Sequence, residues 1–420
     1  METKLVNPTK KQWFMLVLCV IAGSIAPFFQ YCHGTLTDYI METYNITYSQ
    51  VGIVNTAYSW ACGIGLFIVG SAVEKKGCKF FTMLGIAIMI VGHALFYFSP
   101  SYPILIFARI VSGFGNACIY NAAYTLAVHW FAGTNKMGVA TGGMTAADGI
   151  GTFCALYLFS ILVNNLGIQT GNIAVIIFVA VILIILIMIL KDPGVMDMED
   201  SGATVDDTGK YEKALNSNTI AHCIAVTGVL GGLGIANYWG PSMLTDLGMS
   251  SSAAGLASTV FSVAGIFASL IFGAISDKMG TRRPSILFGG IGMVAGYLLM
   301  IAGNQMGIIW VIVAGFLCTG FCAYVVYPLG FAVLSDTTVS SKIGMANGII
   351  QGVSFIFGMF VFQQIVGVVR DFADSYAIGL IFCAALTFVT NVVLVRVFVR
   401  DKDEVAAEMA KNQQSGTKAF

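Results

Sequence analysis

The chain has 420 residues, 57% of them hydrophobic and only 10% charged, with a mean hydropathy of +0.84 and a formal net charge of zero. A soluble domain carries about 25% charged residues, so this composition excludes a water-soluble globular protein. The zero net charge says nothing about partners, and no nucleic-acid partner is expected. One membrane crossing needs about 18–20 apolar residues for roughly 30 Å of hydrocarbon, and the length admits a dozen of them.

Twelve apolar runs follow in order: 13–36, 50–72, 80–98, 104–130, 138–163, 173–190, 221–244, 252–275, 284–302, 307–333, 343–369 and 376–399. The first follows Lys4, Lys10 and Lys11, as a signal peptide would, but it is too long and lacks a small-residue cleavage site. It reads as span 1 and holds Phe28-Phe29-Gln30-Tyr31 and then His33, a cluster suited to a cavity wall. After span 2 comes Gly70-Ser-Ala-Val-Glu74-Lys75-Lys76-Gly77-Cys78-Lys79, read as a tight charged turn. Span 4 carries Arg109, Tyr120, Asn121 and Tyr124. Span 5 carries Asp148, about eleven residues in and so near mid-membrane at about 1.5 Å per residue. An intramembrane carboxyl is a functional residue by default, and Asp148 is a candidate proton carrier, with helix-to-helix bonding as the bland alternative. Arg109 is a candidate partner in coupling, against a purely structural ion.

Residues 191–219 are too polar to pack and read as a mostly disordered linker between an N-terminal bundle (1–190) and a C-terminal bundle (220–400). In span 7, Asn237-Tyr238-Trp239-Gly240-Pro241 stands where span 1 has its aromatic–amide cluster, and Gly240-Pro241 is expected to break the helix. Gly273-Ala-Ile-Ser-Asp277-Lys278-Met-Gly280-Thr-Arg282-Arg283 repeats the Gly70 signature 203 residues on (273 − 70). Span 10 carries Tyr324 and Tyr327, and span 11 carries Asn347 and Gln351 at i and i+4, on one face. The tail, 401–420, reads as solvated, with a helical start through Glu404–Met409.

The repeat extends further. Leu36-Thr37-Asp38 returns as Leu244-Thr245-Asp246, Gly113-Phe114 as Gly320-Phe321, and Gly138-Val-Ala-Thr-Gly142 as Gly344-Met-Ala-Asn-Gly348. Internal duplication is a common plan of membrane transporters. Every Lys and Arg except Arg109 and Arg370 falls in the N-terminus, the even-to-odd loops, the linker or the C-terminal end from Arg396 on. The positive-inside rule then puts both termini in the cytoplasm of a protein in the inner or plasma membrane. The ten cysteines lie scattered without a C-x-x-C pair and read as packing residues.

These motifs resemble the major facilitator superfamily. The Gly-x-x-x-acid-(Lys/Arg)-x-Gly-x-(Lys/Arg) loop after span 2 is similar to that superfamily's best-known signature, and Arg109-Ile-Val-Ser-Gly113-Phe-Gly115 is similar to its span 4 motif. The resemblance implies an all-α membrane protein of twelve helices in two pseudo-symmetric six-helix bundles, enclosing a cavity that opens alternately to each side. It also implies a coupling role for Arg109. Trp13-Phe14, Gln30-Tyr31, Gly113-x-Gly115 with Tyr120, Trp130-Phe131 and Tyr324 before Pro328 resemble the oxalate–formate antiporter family within it. That likeness implies a dicarboxylate gripped by basic residues in spans 8 and 11, but the matching positions here are Ser269 and Gln351.

The resulting expectation is a secondary transporter, not an enzyme. It takes a small solute such as a monocarboxylate, uses protons, needs no cofactor or metal, and works as a lipid-embedded monomer. An organic-anion antiporter using Arg109 is the alternative, followed by a non-transporting receptor-like protein. The substrate site is expected at Gln30, Tyr31, His33, Tyr120, Asn121, Tyr124, Asn237, Tyr238, Trp239, Tyr324, Tyr327 and Gln351, with proton coupling at Asp148 and Arg109. Gating is expected at Gly70, Glu74, Lys75, Gly77, Gly273, Asp277, Lys278, Gly280 and Arg282.

Overall fold

A computed structural model describes residues 7–131, 134, 136–192 and 209–415. Among them the chain is helical apart from one isolated parallel bridge, Tyr211 to Thr338. Twelve helices are long and apolar enough to cross a membrane. Helices such as the sixth span leave Ile177, Phe178 and Met188 on the outside, where hydrocarbon rather than water suits them.

The first half runs α1 (Lys10–Tyr31), α2 (Thr37–Tyr44), α3 (Tyr48–Lys76), α4 (Cys78–Tyr97), α5 (Tyr102–Phe131), α6 (Met137–Phe153), a π turn (Cys154–Leu158), α7 (Phe159–Leu166) and α8 (Ile168–Ile189). The second runs α9 (Ser217–Gly234), a π turn (Ile235–Trp239), α10 (Gly240–Thr245), α11 (Ser251–Met279), α12 (Arg283–Met306), α13 (Ile309–Thr337), α14 (Ser340–Ala373) and α15 (Tyr376–Phe388). A third π turn (Val389–Val393), α16 (Leu394–Phe398) and α17 (Lys402–Ser415) complete it.

The chain divides into two compact units. Unit 1 is Met1–Asn45, Ala57–Thr204 and Ser250–Thr259; unit 2 is Ile46–Thr56, Val205–Met249 and Val260–Phe420. In unit 1, α4 packs on α5 and α8, and α1 packs on α5 and α6. In unit 2, α12 packs on α13 and α15, and α9 packs on α13 and α14. The pattern is the same with every partner shifted by one half of the chain, as the sequence repeat predicts. Gly113 and Gly320 show why those glycines recur. A Cβ at Gly113 would overlap the Tyr58 carbonyl oxygen, and one at Gly320 would overlap the Phe261 carbonyl oxygen. Tyr58 and Phe261 are themselves 203 positions apart (261 − 58). Small residues here let two transmembrane backbones touch.

The duplicated signature is more helical than a tight turn. α3 continues through Gly70 to Lys76, and α11 continues through Gly273 and Lys278 to Met279. The reversals rest on Gly77 (φ 90°) and Gly280 (φ 68°), a backbone region in which a Cβ is strained. The side chains of Glu74, Lys75 and Asp277 lie outside the described residues, and with them their expected part in gating. Arg282 is ordered: its Nε lies 3.2 Å from Asp336 Oδ2, and its Nη1 donates to Ser276 Oγ at 2.5 Å.

Two other acids repeat instead. Asp192, just past α8, accepts from the Lys79 backbone N–H at 3.0 Å, at the start of α4. Asp401, just past α16, accepts from the Arg282 and Arg283 backbone N–H groups at 3.0 and 3.3 Å, at the start of α12. Each carboxylate serves orphan donors at a helix N-terminus, where negative charge is favoured.

The linker is expected to be mostly disordered, but its described end, 209–219, packs, whereas the tail helix is largely exposed, as expected, with Val405 turned inward. Residues 193–208 lie outside the described residues. Tyr211 is 2% exposed, and its backbone bonds Thr337 O and Val339 N. Its hydroxyl donates to Glu408 Oε2 of α17 at 3.0 Å, and Val405 is 1% exposed. Burial first, then the Glu408 carboxylate, pushes the Tyr211 hydroxyl pKa above its ordinary value. One buried aromatic ring and one valine anchor a segment whose average composition is too polar to suggest it.

Candidate functional site

In unit 1 the site forms where α1 ends. Its last-turn carbonyls have no helical donors. Cys32 N–H serves Phe28 O at 3.0 Å. Arg109, from α5 and 2% exposed, serves the next two: Nη1 donates to Phe29 O at 3.2 Å and Nη2 to Gln30 O at 3.1 Å. A cation at a helix C-terminus also meets the negative end of the helix dipole. The guanidinium lies 4.3 Å from the Tyr58 ring centroid and 5.9 Å from that of Phe96. Arg109 thus fixes the end of the helix that carries the predicted cluster.

The cluster itself is buried. Gln30 Nε2 donates to Tyr31 Oη at 3.0 Å, and the His33 ring lies tilted against Phe96 with centroids 5.3 Å apart. His93 lies against Phe29 at 4.6 Å and Tyr97 at 4.8 Å. On α5, Tyr120 and Asn121 are half-buried, and Tyr124 is 43% exposed. Asp148 lies in α6 and is half-buried.

In unit 2 the expected break of span 7 is a π turn rather than an interruption. The Gly240 N–H reaches back five residues to Ile235 O, and α10 restarts with Pro241 in its first turn. Proline is tolerated there because first-turn N–H groups are orphans anyway. The widened turn buries Asn237, Tyr238 and Trp239, none more than 1% exposed. π turns recur at functional sites. Tyr327 and Gln351 come together, with Gln351 Nε2 donating to Tyr327 Oη at 2.5 Å. Tyr324 turns to α11, where it packs on Phe261 at 6.4 Å and fills the space left by Gly265.

Two groups escaped the sequence reading. Trp239, Tyr376 and Tyr48 form a ring triangle with centroids 6.0–6.4 Å apart. Arg370 lies over Tyr48 (5.3 Å) and Tyr376 (4.7 Å) and pairs with Asp246 at 2.8 Å. Beside it, Asp371 accepts from the Tyr48 and Ser49 N–H groups at 2.9 and 2.8 Å and so caps the start of α3. The second missed group is Gln363 on α14, fully buried. The first could be glimpsed in the sequence: Arg370 is the one cation read between spans on the side opposite the basic loops, and the structure places it in the last turn of α14.

The family model of the Major Facilitator Superfamily matches this chain twice, over residues 19–239 and 222–418. A probable galactarate/D-glucarate transporter of Bacillus subtilis is 24% identical, covering 81% of this chain and 82% of its own. An MFS-type transporter of an Ophiocordyceps species is 24% identical, over 76% of this chain and 71% of its own. Among solved structures, a D-xylose–proton symporter superposes with a TM-score of 0.73 at 15% identity, covering 93% of this chain and 99% of that one. A nucleoside transporter gives 0.71 at 13% identity, covering 90% and 100%. These two likenesses concern the fold.

Proposed function

Because the chain belongs to the major facilitator superfamily, we propose that this membrane transporter moves a small organic solute by alternating access, driven by protons through Asp148. The observation that carries the reading is the occurrence of two polar clusters without Lys, Arg, Asp or Glu at equivalent places in the repeat. One is Gln30, Tyr31 and His33 at the end of α1; the other is Asn237, Tyr238 and Trp239 in the π turn after α9. Groups of this kind bind hydroxyls and single carboxylates by hydrogen bonds while leaving the solute free to depart. A hydroxylated acid or sugar-like solute is in keeping with the names of a relative and of a fold neighbour. Asp148 supports proton coupling by its place in a span, where a permanent charge is expensive. Tyr120, Asn121, Tyr327 and Gln351 supply further amide and phenol groups to the same task. The duplicated signatures, Gly70 to Gly77 and Gly273 to Arg282, end the helices that must shift between states.

The test is a thermal-shift panel on the purified protein with monocarboxylates, sugar acids, sugars, amines and amino acids at pH 5.5 and 7.5. A ligand that binds the folded state raises the melting temperature with its concentration. A carboxylated or hydroxylated solute that stabilises more at pH 5.5 is the expected result. A dicarboxylate equally effective at both values would put proton-independent antiport first.

A further inference from the structure

The second half holds two buried amides whose hydrogen-bonding capacity the protein does not use. Asn237, in the π turn, and Gln363, on α14, are both 0% exposed. Neither the nitrogen nor the oxygen of either side chain has a hydrogen-bond partner within the protein. More than about 90% of buried polar groups are paired, so four unused atoms on two neighbouring segments call for an explanation.

The two amides belong to one locality. α14 packs along α9 and against the π turn. A Cβ at Gly234 would collide with Gln363 Nε2 and would stand 2.8 Å from Met359 Sδ. The Gln363 amide therefore lies directly on α9 at a point kept open by glycine, and Asn237 follows Gly234 by three residues, about one helical turn. Pro241 adds a second irregularity, since it has no N–H to give to a carbonyl of the preceding turn.

The chemistry of the unused atoms selects the ligand. Each amide offers two donors and one acceptor. A metal cation would occupy the oxygens and leave both nitrogens unpaired. A bare carboxylate accepts only, and would leave both oxygens unpaired. A hydroxyl donates and accepts, and vicinal hydroxyls match an amide's spacing of donor and acceptor. We propose that Asn237 and Gln363 form a subsite that reads hydroxyl groups of the transported solute, with Gly234 keeping the Gln363 amide in place. The inference rests on the solute-carrier reading above and adds its solute class: polyhydroxylated molecules such as sugar acids, sugars or polyols.

The test uses the full-length protein, reconstituted in vesicles, with solute pairs that differ only in hydroxyls: glycerate against propionate, gluconate against hexanoate, xylitol against 1,5-pentanediol. Competition against a transported solute gives relative affinities. Wild type should favour the hydroxylated member by about 10–100-fold, the ratio expected when buried polar groups gain or lose their partner. Gln363→Leu and Asn237→Leu should each erase most of that preference, with the loss of affinity falling mainly on the hydroxylated member of each pair. Gln363→Asn, which keeps the amide, should retain part of it. Melting temperatures at or above the wild type's would confirm that the leucine variants fold. A preference that survives both leucine variants overturns the subsite alone, and so does an equal loss for both members of a pair. A wild-type protein that moves its reference solute but binds none of the six overturns the solute class, whereas one that moves no solute of the thermal-shift panel overturns the carrier reading on which the subsite rests.

Discussion

Arg109 offers the sharpest test of how the first half is held together. The structure gives it two charge-assisted hydrogen bonds, to Phe29 O and Gln30 O, and a stacked contact on Tyr58. Each such hydrogen bond contributes about 1.5–3 kcal/mol, and a desolvated cation–π contact about 2 kcal/mol. Against this stands the cost of burying a guanidinium, several kcal/mol. Arg109→Met relieves that cost but strands two buried carbonyls at about 1–3 kcal/mol each. The net loss expected is about 3 kcal/mol, the low end for one-sided removal of a buried charge partner. For a unit of this size that lowers the melting temperature by about 6–12 °C. Arg109→Lys keeps the charge but not the planar fork that reaches two carbonyls at once, so it should fall between. Thermal melts of the purified protein measure the loss, and hydrogen exchange at Tyr31 to His33 should rise as the end of α1 loosens. A methionine variant that melts at the wild-type temperature, with unchanged exchange, would refute the claim that Arg109 secures α1.

The repeat predicts paired effects. Gly113→Val and Gly320→Val should each cost at least about 1–3 kcal/mol by forcing helices apart, since both positions meet a neighbouring carbonyl; a melt in which only one variant is affected would contradict their equivalence. Asp192→Ala and Asp401→Ala should each cost about 1 kcal/mol through a lost helix cap. Amide exchange should then speed up at Lys79 in the first variant and at Arg282 and Arg283 in the second, and unaltered protection there would argue against the caps.

Much of the fold is legible in the sequence because a membrane allows so few solutions. Each backbone group must be satisfied within its own helix, so apolar runs become spans one for one. The duplicated signature and the Gly113–Gly320 pair then reveal that the two halves share a packing plan. Less was legible where bonding depends on distant chain. Asp192 and Asp401 accept from backbone N–H groups 113 and 119 positions away, at Lys79 and Arg282, and no local pattern joins them. The π turn at Ile235–Trp239 leaves the hydropathy of span 7 unchanged, so a break was expected where the helix only widens. The sequence does not single out Gln363, one of an adjacent pair with Gln364, because its meaning comes from Gly234 on another helix. The contact of the Tyr324 ring with the space beside Gly265 is likewise not legible locally, because Gly265 lies on another helix.

The central claim is that this chain couples solute movement to protons through the half-buried carboxyl of Asp148. The most direct measurement is uptake into reconstituted vesicles, with a labelled solute identified by the thermal-shift panel, under an imposed pH gradient and then as exchange at uniform pH. The account predicts that wild type accumulates the solute down the proton gradient, and that Asp148→Asn abolishes accumulation while exchange continues. Equal loss of accumulation and exchange in the variant, or accumulation that persists without the carboxyl, would contradict it.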